Sequence, residues 1–271
     1  MALANTYIED SIILLTVDVG NTTTRLGLYA AAELQAVWEC ATRDSLTSDE
    51  ARLLLAGFLR NQNLISASFS PDDGIISCVV PSLTNVWAQA LQVELGRRPL
   101  VVGPGLKTGL ELRYNDPAEI GPDRIADVVA ARDAYGFPLL VVDLGTSTNI
   151  AVIDEDGAFA GGLIAPGLAL SAQALSRAAA RLPTIEIVRP RSVIGKSTRD
   201  AMQAGFVLGE AARIDGLIEM IWEELGYRTP VVMTGSDAEA LVRLSSHDAL
   251  VDETLTLRGL WLLHSYNRPR R

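Results

Sequence analysis

Lysine is nearly missing from this 271-residue chain: Lys107 and Lys196 are the only two. Basic residues number 23 against 33 acidic ones, so the formal net charge is -10 and the sequence pI about 4.7. A general nucleic-acid binder needs a net basic face, so no nucleic-acid partner is expected. An anionic membrane surface is excluded on the same ground. Lysine clamps on phosphate are nearly excluded too. A phosphate-bearing ligand would have to be held by backbone N–H groups or a metal.

Cysteine and histidine are equally scarce. Cys40 and Cys78 have no CxxC or His-rich neighbourhood and read as two buried thiols in a reducing compartment. With only His247 and His264 besides, a structural zinc site lacks ligands. No run is apolar for the ~20 residues that span a bilayer. The first apolar run, Ile12 to Val17, follows Glu9 and Asp10, and no Lys or Arg precedes Arg25. That is the wrong flank for a secretory signal, so a cytoplasmic protein is expected. Aromatic residues make up only 6%, and Trp38, Trp87, Trp222 and Trp261 read as packing rather than a base-stacking platform.

What is present is an ordinary globular mix, 48% apolar and 21% charged. The length allows one large domain or two of about 130 residues. Ile12 to Val17 reads as a buried strand ending in Asp18 and Gly20. Arg25 to Tyr29 and Leu34 to Cys40 continue as strands. A helix follows from Ser48 to Leu59, then a strand from Gly74 to Val80 stopped by Pro81. Ser82 can cap a helix to Leu95, and Pro99 to Val102 is strand-like. Gly121 to Tyr135 reads as a helix with an apolar face of Ile125, Val128, Val129 and Ala134.

The pattern then restarts. Strands are expected at Leu139 to Val142, Ile150 to Ile153 and Phe159 to Ile164, with a turn at Asp156-Gly157. Helices are expected from Leu168 to Arg181 and, as one long element, from Thr198 to Leu225. Val231 to Met233 is a strand, followed by a helix to Leu244 and a last helix from Leu255 to Tyr266.

The informative feature is an internal repeat. Val17-Asp18-Val19-Gly20-Asn21-Thr22-Thr23-Thr24 lines up with Val142-Asp143-Leu144-Gly145-Thr146-Ser147-Thr148-Asn149. Each copy has an apolar strand, Asp-x-Gly, a hydroxyl-rich turn and a second strand. Glycine lets backbone approach a ligand, the amides and hydroxyls can donate to phosphate, and the Asp can hold hydrated magnesium. One such turn is equally an Asx-type hairpin with no ligand. Two copies favour the ligand, each gripping one end of a nucleotide in a cleft between two halves.

Other stretches are more ambiguous. Gly195-Lys196-Ser197-Thr198 lacks the glycine five positions before the Gly-Lys pair that a P-loop needs, for Pro190 stands there. It reads as a loop and cap, with Thr198 as cap or ligand contact. Gly121-Pro122-Asp123-Arg124 offers a carboxylate base beside an anion-binding arginine. Taken alone, a helix cap with a surface ion pair is the plainer reading. Gly161-Gly162 and Pro166-Gly167 mark close backbone approach, or a bulge and turn.

Together these motifs resemble the type III pantothenate kinases, within the superfamily of acetate and sugar kinases, heat-shock chaperone ATPases and actin. The resemblance runs from about Ile13 to Tyr266 and rests on an ordered set. It comprises Asp18-x-Gly20-Asn21-Thr22, Val79-Val80-Pro81, Tyr114 with Pro117, Gly121-Pro122-Asp123-Arg124, Asp143-x-Gly145-Thr146, Gly161-Gly162-x-Ile164-x-Pro166-Gly167, Leu182-Pro183, Gly195-x-x-Thr198 and Thr234-Gly235. It implies an α/β fold of two similar ribonuclease H-like (actin-like ATPase) halves, each a mixed sheet flanked by helices. Residues 1–130 would form the first half and 131–271 the second.

The resemblance also implies roles. Asp18, Gly20, Asn21, Thr22, Thr23, Thr24 and Arg25 would bind ATP phosphates, with Asp18 near Mg2+. Asp123 would be the general base on pantothenate. Tyr114, Gly121, Pro122, Asp123, Arg124 and Thr198 would hold that substrate. Asp143 would ligate a monovalent cation, K+ or NH4+, and Thr146 would contact ATP. A homodimer is implied, with the long helix at its interface. The chain departs from the family pattern at Ser147, Asn149 and Ala151, where Ala, Thr and Asp are usual. It departs again at Asp127, usually Asn, and at Ser236, usually Gly. Asp127 adds a negative charge one helical turn from Asp123, which can raise its pKa. Two alternatives stay open: a kinase for another small hydroxylated substrate, and a kinase-fold regulatory or binding protein without turnover.

Overall fold

The computed structural model describes residues 12–61, 71–179, 183 and 185–268. Glu9, Asp10, the expected helix end at Arg181, Leu182 of the Leu182-Pro183 pair and residues 269–271 lie outside that set. The chain divides into two compact units. Residues 1–109, 115–130 and 255–271 form one; residues 110–114 and 131–254 form the other.

In the first unit β1 (Ile13–Val19), β2 (Thr23–Ala30) and β3 (Glu33–Ala41) form an antiparallel meander. After α1 (Ser48–Asn61), β4 (Asp73–Cys78) joins the other side of β1 in parallel. After α2 (Pro81–Leu95), β5 (Leu100–Val101) extends the sheet, giving the order β3-β2-β1-β4-β5. β1 is central and buried along nearly its whole length, which is why it reads as an unbroken apolar run. Ile13, Leu15, Val17 and Val19 pack with Leu55, Phe58, Leu83, Trp87 and Leu91 of α1 and α2. The expected Ser82 cap is not made. Val80 precedes the helix without a side-chain cap, and Pro81 occupies the first turn, where its missing N–H costs nothing.

α3 (Pro122–Tyr135) starts in the first unit and ends in the second. Ile125, Val128 and Val129 are buried as expected, but Ala134 is exposed. Cys40 and Cys78 are half-buried rather than fully buried. Burial still pushes both thiols up, away from the reactive thiolate.

The second unit repeats the pattern. β6 (Leu139–Leu144), β7 (Ser147–Ile153) and β8 (Phe159–Pro166) form an antiparallel meander. Then come α4 (Leu168–Ala178), α5 (Thr198–Gln203) and α6 (Gly209–Leu225). β9 (Val231–Thr234), α7 (Ala238–Val242) and β10 (Leu250–Val251) complete it, in the order β10-β9-β6-β7-β8. The single helix expected from Thr198 to Leu225 is interrupted by a wider turn at Ala204–Leu208. Leu140, Val142, Ile150, Ile214, Ile218 and Trp222 form this unit's core.

α8 (Leu255–Asn267) belongs with the first unit, a departure from the expected division at 131–271. It packs on β1, β2 and β4 and buries Leu255, Leu257, Leu260, Leu262 and Leu263. Two sheets of matching strand order, each flanked by helices, are the duplicated ribonuclease H-like (actin-like ATPase) architecture expected. No described helix is long and apolar enough to cross a membrane.

Candidate functional site

The first Asp-x-Gly turn joins β1 to β2. Asp18 lies opposite Arg25, and on the other side its parallel neighbour is Ser77 of β4. Opposed residues share a face of the sheet, so Asp18 and Arg25 do. Gly20 N–H donates to the Thr23 carbonyl at 3.0 Å, and a Cβ on Gly20 would sit 2.9 Å from that oxygen. The tightness of the turn therefore requires glycine. Asn21 and Thr22 are exposed, while Thr24 is buried.

Thr42, which no sequence motif flagged, stitches this turn together. Its N–H donates to the Thr22 carbonyl at 2.8 Å, and its hydroxyl donates to the Gly20 carbonyl at 2.8 Å. A hydroxyl has one proton, so the 2.8 Å contact between Thr42 Oγ1 and Thr24 Oγ1 is a bond that Thr24 donates. Thr24 thus spends its proton inside the turn rather than on a ligand. Ser77 Oγ is fully buried and has no hydrogen-bond partner among the described residues.

The second turn joins β6 to β7. Asn149 stands opposite Asp143 and donates to Ser147 Oγ at 3.0 Å and to Asp143 Oδ2 at 3.5 Å. Two glycines crowd this turn. A Cβ on Gly167 would clash with the Gly145 and Thr146 carbonyls; one on Gly235 would clash with the Leu144 carbonyl and lie 2.7 Å from Asp143 Oδ1. Close backbone approach explains the Pro166-Gly167 and Thr234-Gly235 pairs, whereas at Gly161 a Cβ would meet nothing and the β7–β8 register shifts, so the bulge reading holds there. Beneath the turn, buried Thr148 donates to buried Glu210 at 2.6 Å. Arg213 Nη2 donates to Glu210 at 2.6 Å and to the Pro166 carbonyl at 2.7 Å. Sequence reading missed this network because Glu210 and Arg213 lie on a helix far along the chain.

Gly121-Pro122-Asp123-Arg124 opens α3. Arg124 N–H donates to Asp123 Oδ1 at 2.8 Å, so the carboxylate folds back on the helix start. A Cβ on Gly121 would lie 2.5 Å from that same oxygen. Burial pushes the Asp123 carboxyl up, opposed by the Arg124 N–H and the Arg124 charge. The charge of Asp127 is not the cause; its carboxylate accepts from the Thr256 hydroxyl at 2.7 Å. A carboxyl raised in this direction holds its proton to higher pH than an exposed one and is the stronger proton acceptor when ionised.

Tyr114 packs its ring 5.5 Å from Phe159, on a segment bonded to β8 through the Arg113 N–H and the Phe159 carbonyl. Thr198 is exposed at the first turn of α5. The cap there is Ser197, whose hydroxyl accepts from the Asp200 N–H at 3.1 Å, so Thr198 keeps its hydroxyl out of the expected capping role. The expected residues stand on five local features: the β1–β2 turn, the α3 start, the β6–β7 turn, the Tyr114 segment and the α5 start.

The model of the type III pantothenate kinase family matches residues 14–220. The chain belongs to the type III pantothenate kinase family. A type III pantothenate kinase from Brevibacillus brevis is 40% identical over 257 residues, covering 94% of this chain and all of that one. Two solved structures share the fold. One, described as a Baf family transcriptional activator from Campylobacter jejuni, has a TM-score of 0.59 at 20% identity and covers 93% of this chain and 98% of its own. The other, the ethanolamine utilization protein EutJ from Carboxydothermus hydrogenoformans, has a TM-score of 0.53 at 16% identity and covers 92% and 89%.

Among the described residues no three His, Cys, Asp or Glu gather as a cage for an ion. The Asp18 carboxylate, at the end of β1, is of the kind that fits magnesium on a nucleotide, which takes one or two carboxylates and completes its shell with water and phosphate oxygens.

Proposed function

We propose that the chain transfers the γ-phosphoryl group of ATP to the hydroxyl of pantothenate, giving 4'-phosphopantothenate at the start of coenzyme A biosynthesis. The observation that carries this reading beyond family membership is the α3 start. There a burial-raised carboxylate and a buried arginine adjoin in the motif that the family places on its substrate.

In this reading Asp123 takes the proton of the pantothenate hydroxyl as its oxygen bonds to the γ-phosphorus, and ADP leaves. Arg124 holds the pantothenate carboxylate side by charge, with Tyr114, Gly121, Pro122 and Thr198 completing the pocket. Asn21, Thr22, Thr23, Arg25 and the Gly20 backbone meet the phosphates, and Thr146 meets the nucleotide. Asp18 would hold Mg2+, which neutralises charge on the phosphates, and Asp143 would hold K+ or NH4+. Such transfers need positioning and charge neutralisation more than covalent chemistry, so two lysines suffice.

A homodimer in the cytoplasm completes the reading. Large apolar side chains stand exposed on the second unit: Ile164 on β8, Leu170 and Leu175 on α4, and Val193 and Ile194 before α5. Exposed apolar groups of this number support a protein interface. Light scattering of the purified chain reads the dimer mass directly. The function is tested by coupled ADP release with pantothenate, magnesium ATP and potassium. Turnover that depends on pantothenate is expected; no turnover under these conditions overturns the proposal.

A further inference from the structure

α8 crosses the helix that carries Asp123, and two contacts set their register. Gly259 lies so close to α3 that a Cβ there would collide with the Ala126 carbonyl and backbone. No rotamer can relieve a backbone collision. One turn earlier, the Thr256 hydroxyl donates to Asp127 Oδ1 at 2.7 Å. Ala126 and Asp127 are both buried. Asp127 lies four residues after Asp123, on the same face of α3.

The far end of α8 is fixed to the sheet. His264 Nε2 lies 3.2 Å from Asp73 Oδ2, and Arg268 Nε lies 3.5 Å from the same oxygen. The Trp261 indole donates to the Ala31 carbonyl at 2.6 Å. Asn267 accepts from the Lys107 N–H at 2.9 Å and donates to the Lys107 carbonyl at 2.8 Å. A helix held at this end transmits its placement to α3 through Gly259 and Thr256.

We infer that Thr256 is a positioning residue for phosphoryl transfer: through Asp127 it fixes the rotation of α3 and thereby the aim of the Asp123 carboxylate. The inference rests on reading Asp123 as the base. Without the hydroxyl, a buried carboxylate loses one of its donors, and α3 turns as its contacts readjust. Misplacing a reacting group by about 1 Å costs up to roughly 100-fold in rate. A small rotation would cost less, about tenfold.

The test compares Thr256→Val, Thr256→Ser and Asp123→Asn in the full-length protein. Each is measured for kcat, KM for both substrates, the pH profile of kcat and the melting temperature. Thr256→Val is expected to lower kcat about tenfold, with KM for ATP within about twofold and the acid limb of the pH profile displaced. Thr256→Ser, which keeps the hydroxyl, restores both. If Thr256→Val does not fold, the pair Thr256→Val with Asp127→Asn removes the buried charge that has lost the Thr256 donor and is expected to show the same loss of kcat. A variant that melts lower but keeps the parental kcat and acid limb overturns the positioning role while an inactive Asp123→Asn leaves the base assignment standing. Full turnover by Asp123→Asn overturns both.

Discussion

Replacing Asp123 by Asn changes one oxygen for an amide and leaves the local geometry intact. Asn keeps an oxygen that can accept the Arg124 N–H, now bonded to Asp123 Oδ1 at 2.8 Å. It cannot accept a proton from a substrate hydroxyl. General bases contribute about 10²–10⁴-fold, so kcat is expected to fall by that factor, about 3–6 kcal/mol at roughly 1.4 kcal/mol per decade. Stability moves the other way. Burial raises the Asp123 carboxyl in the folded state, so the fold binds its proton more readily than the unfolded chain does. Ionised Asp123 is therefore a cost that appears as pH rises from the unfolded pKa through the raised folded one and persists at neutral pH. The variant lacks that cost and should melt no lower than the parent at neutral pH. The pH profile of the parent carries the same sign: kcat/KM falls as pH drops through the raised pKa, above the ordinary carboxylate range. Coupled ADP release, calorimetry and the pH profile measure the three quantities. Parental turnover by Asp123→Asn, or an acid limb at the pKa of an exposed carboxylate, refutes the reasoning.

Gly121→Ala puts a Cβ 2.5 Å from Asp123 Oδ1, so the carboxylate must rotate; kcat for pantothenate is expected to fall about tenfold, read by steady-state kinetics. Thr42→Val removes the hydroxyl that joins Thr24 to the Gly20 carbonyl; it should cost about 1–2 kcal/mol and raise KM for ATP more than KM for pantothenate. Arg213→Met strips the cation from buried Glu210 and leaves it only the Thr148 hydroxyl; because Arg213 is itself half-exposed, a loss of about 3 kcal/mol is expected in denaturant titration. An unchanged midpoint would show that Glu210 needs no cation.

The repeat was legible because strand and turn chemistry are local. Val17-Asp18-Val19-Gly20 and Val142-Asp143-Leu144-Gly145 each show a buried strand delivering a carboxylate to a turn, and both turns formed where expected. Asp123 was legible as a candidate because Gly-Pro-Asp-Arg is a helix start. Its pKa was not, since the upward push comes from burial rather than from nearby Asp127. Thr42, Ser77, Glu210 and Arg213 left no signal, because each meets its turn through strand pairing or helix packing rather than sequence proximity. The cap at Ser197 instead of Thr198 shows a coarser limit, since competing polar residues one position apart are separated only by backbone geometry; at α2 the helix starts after Val80 with no side-chain cap at all.

The sequence by itself determined the duplicated α/β architecture, the two Asp-bearing turns, the scarcity of lysine and the family to which those motifs belong. Periodicity, turn residues and ordered motifs are properties of short windows, and short windows are what a sequence displays. Only the tertiary structure decided that the last helix returns to the first unit and lies backbone to backbone against Ala126. It also decided that Thr24 turns its proton inward and that burial raises Asp123. Each of these depends on which distant atoms exclude water from a group or accept its proton, and chain folding alone brings those atoms together.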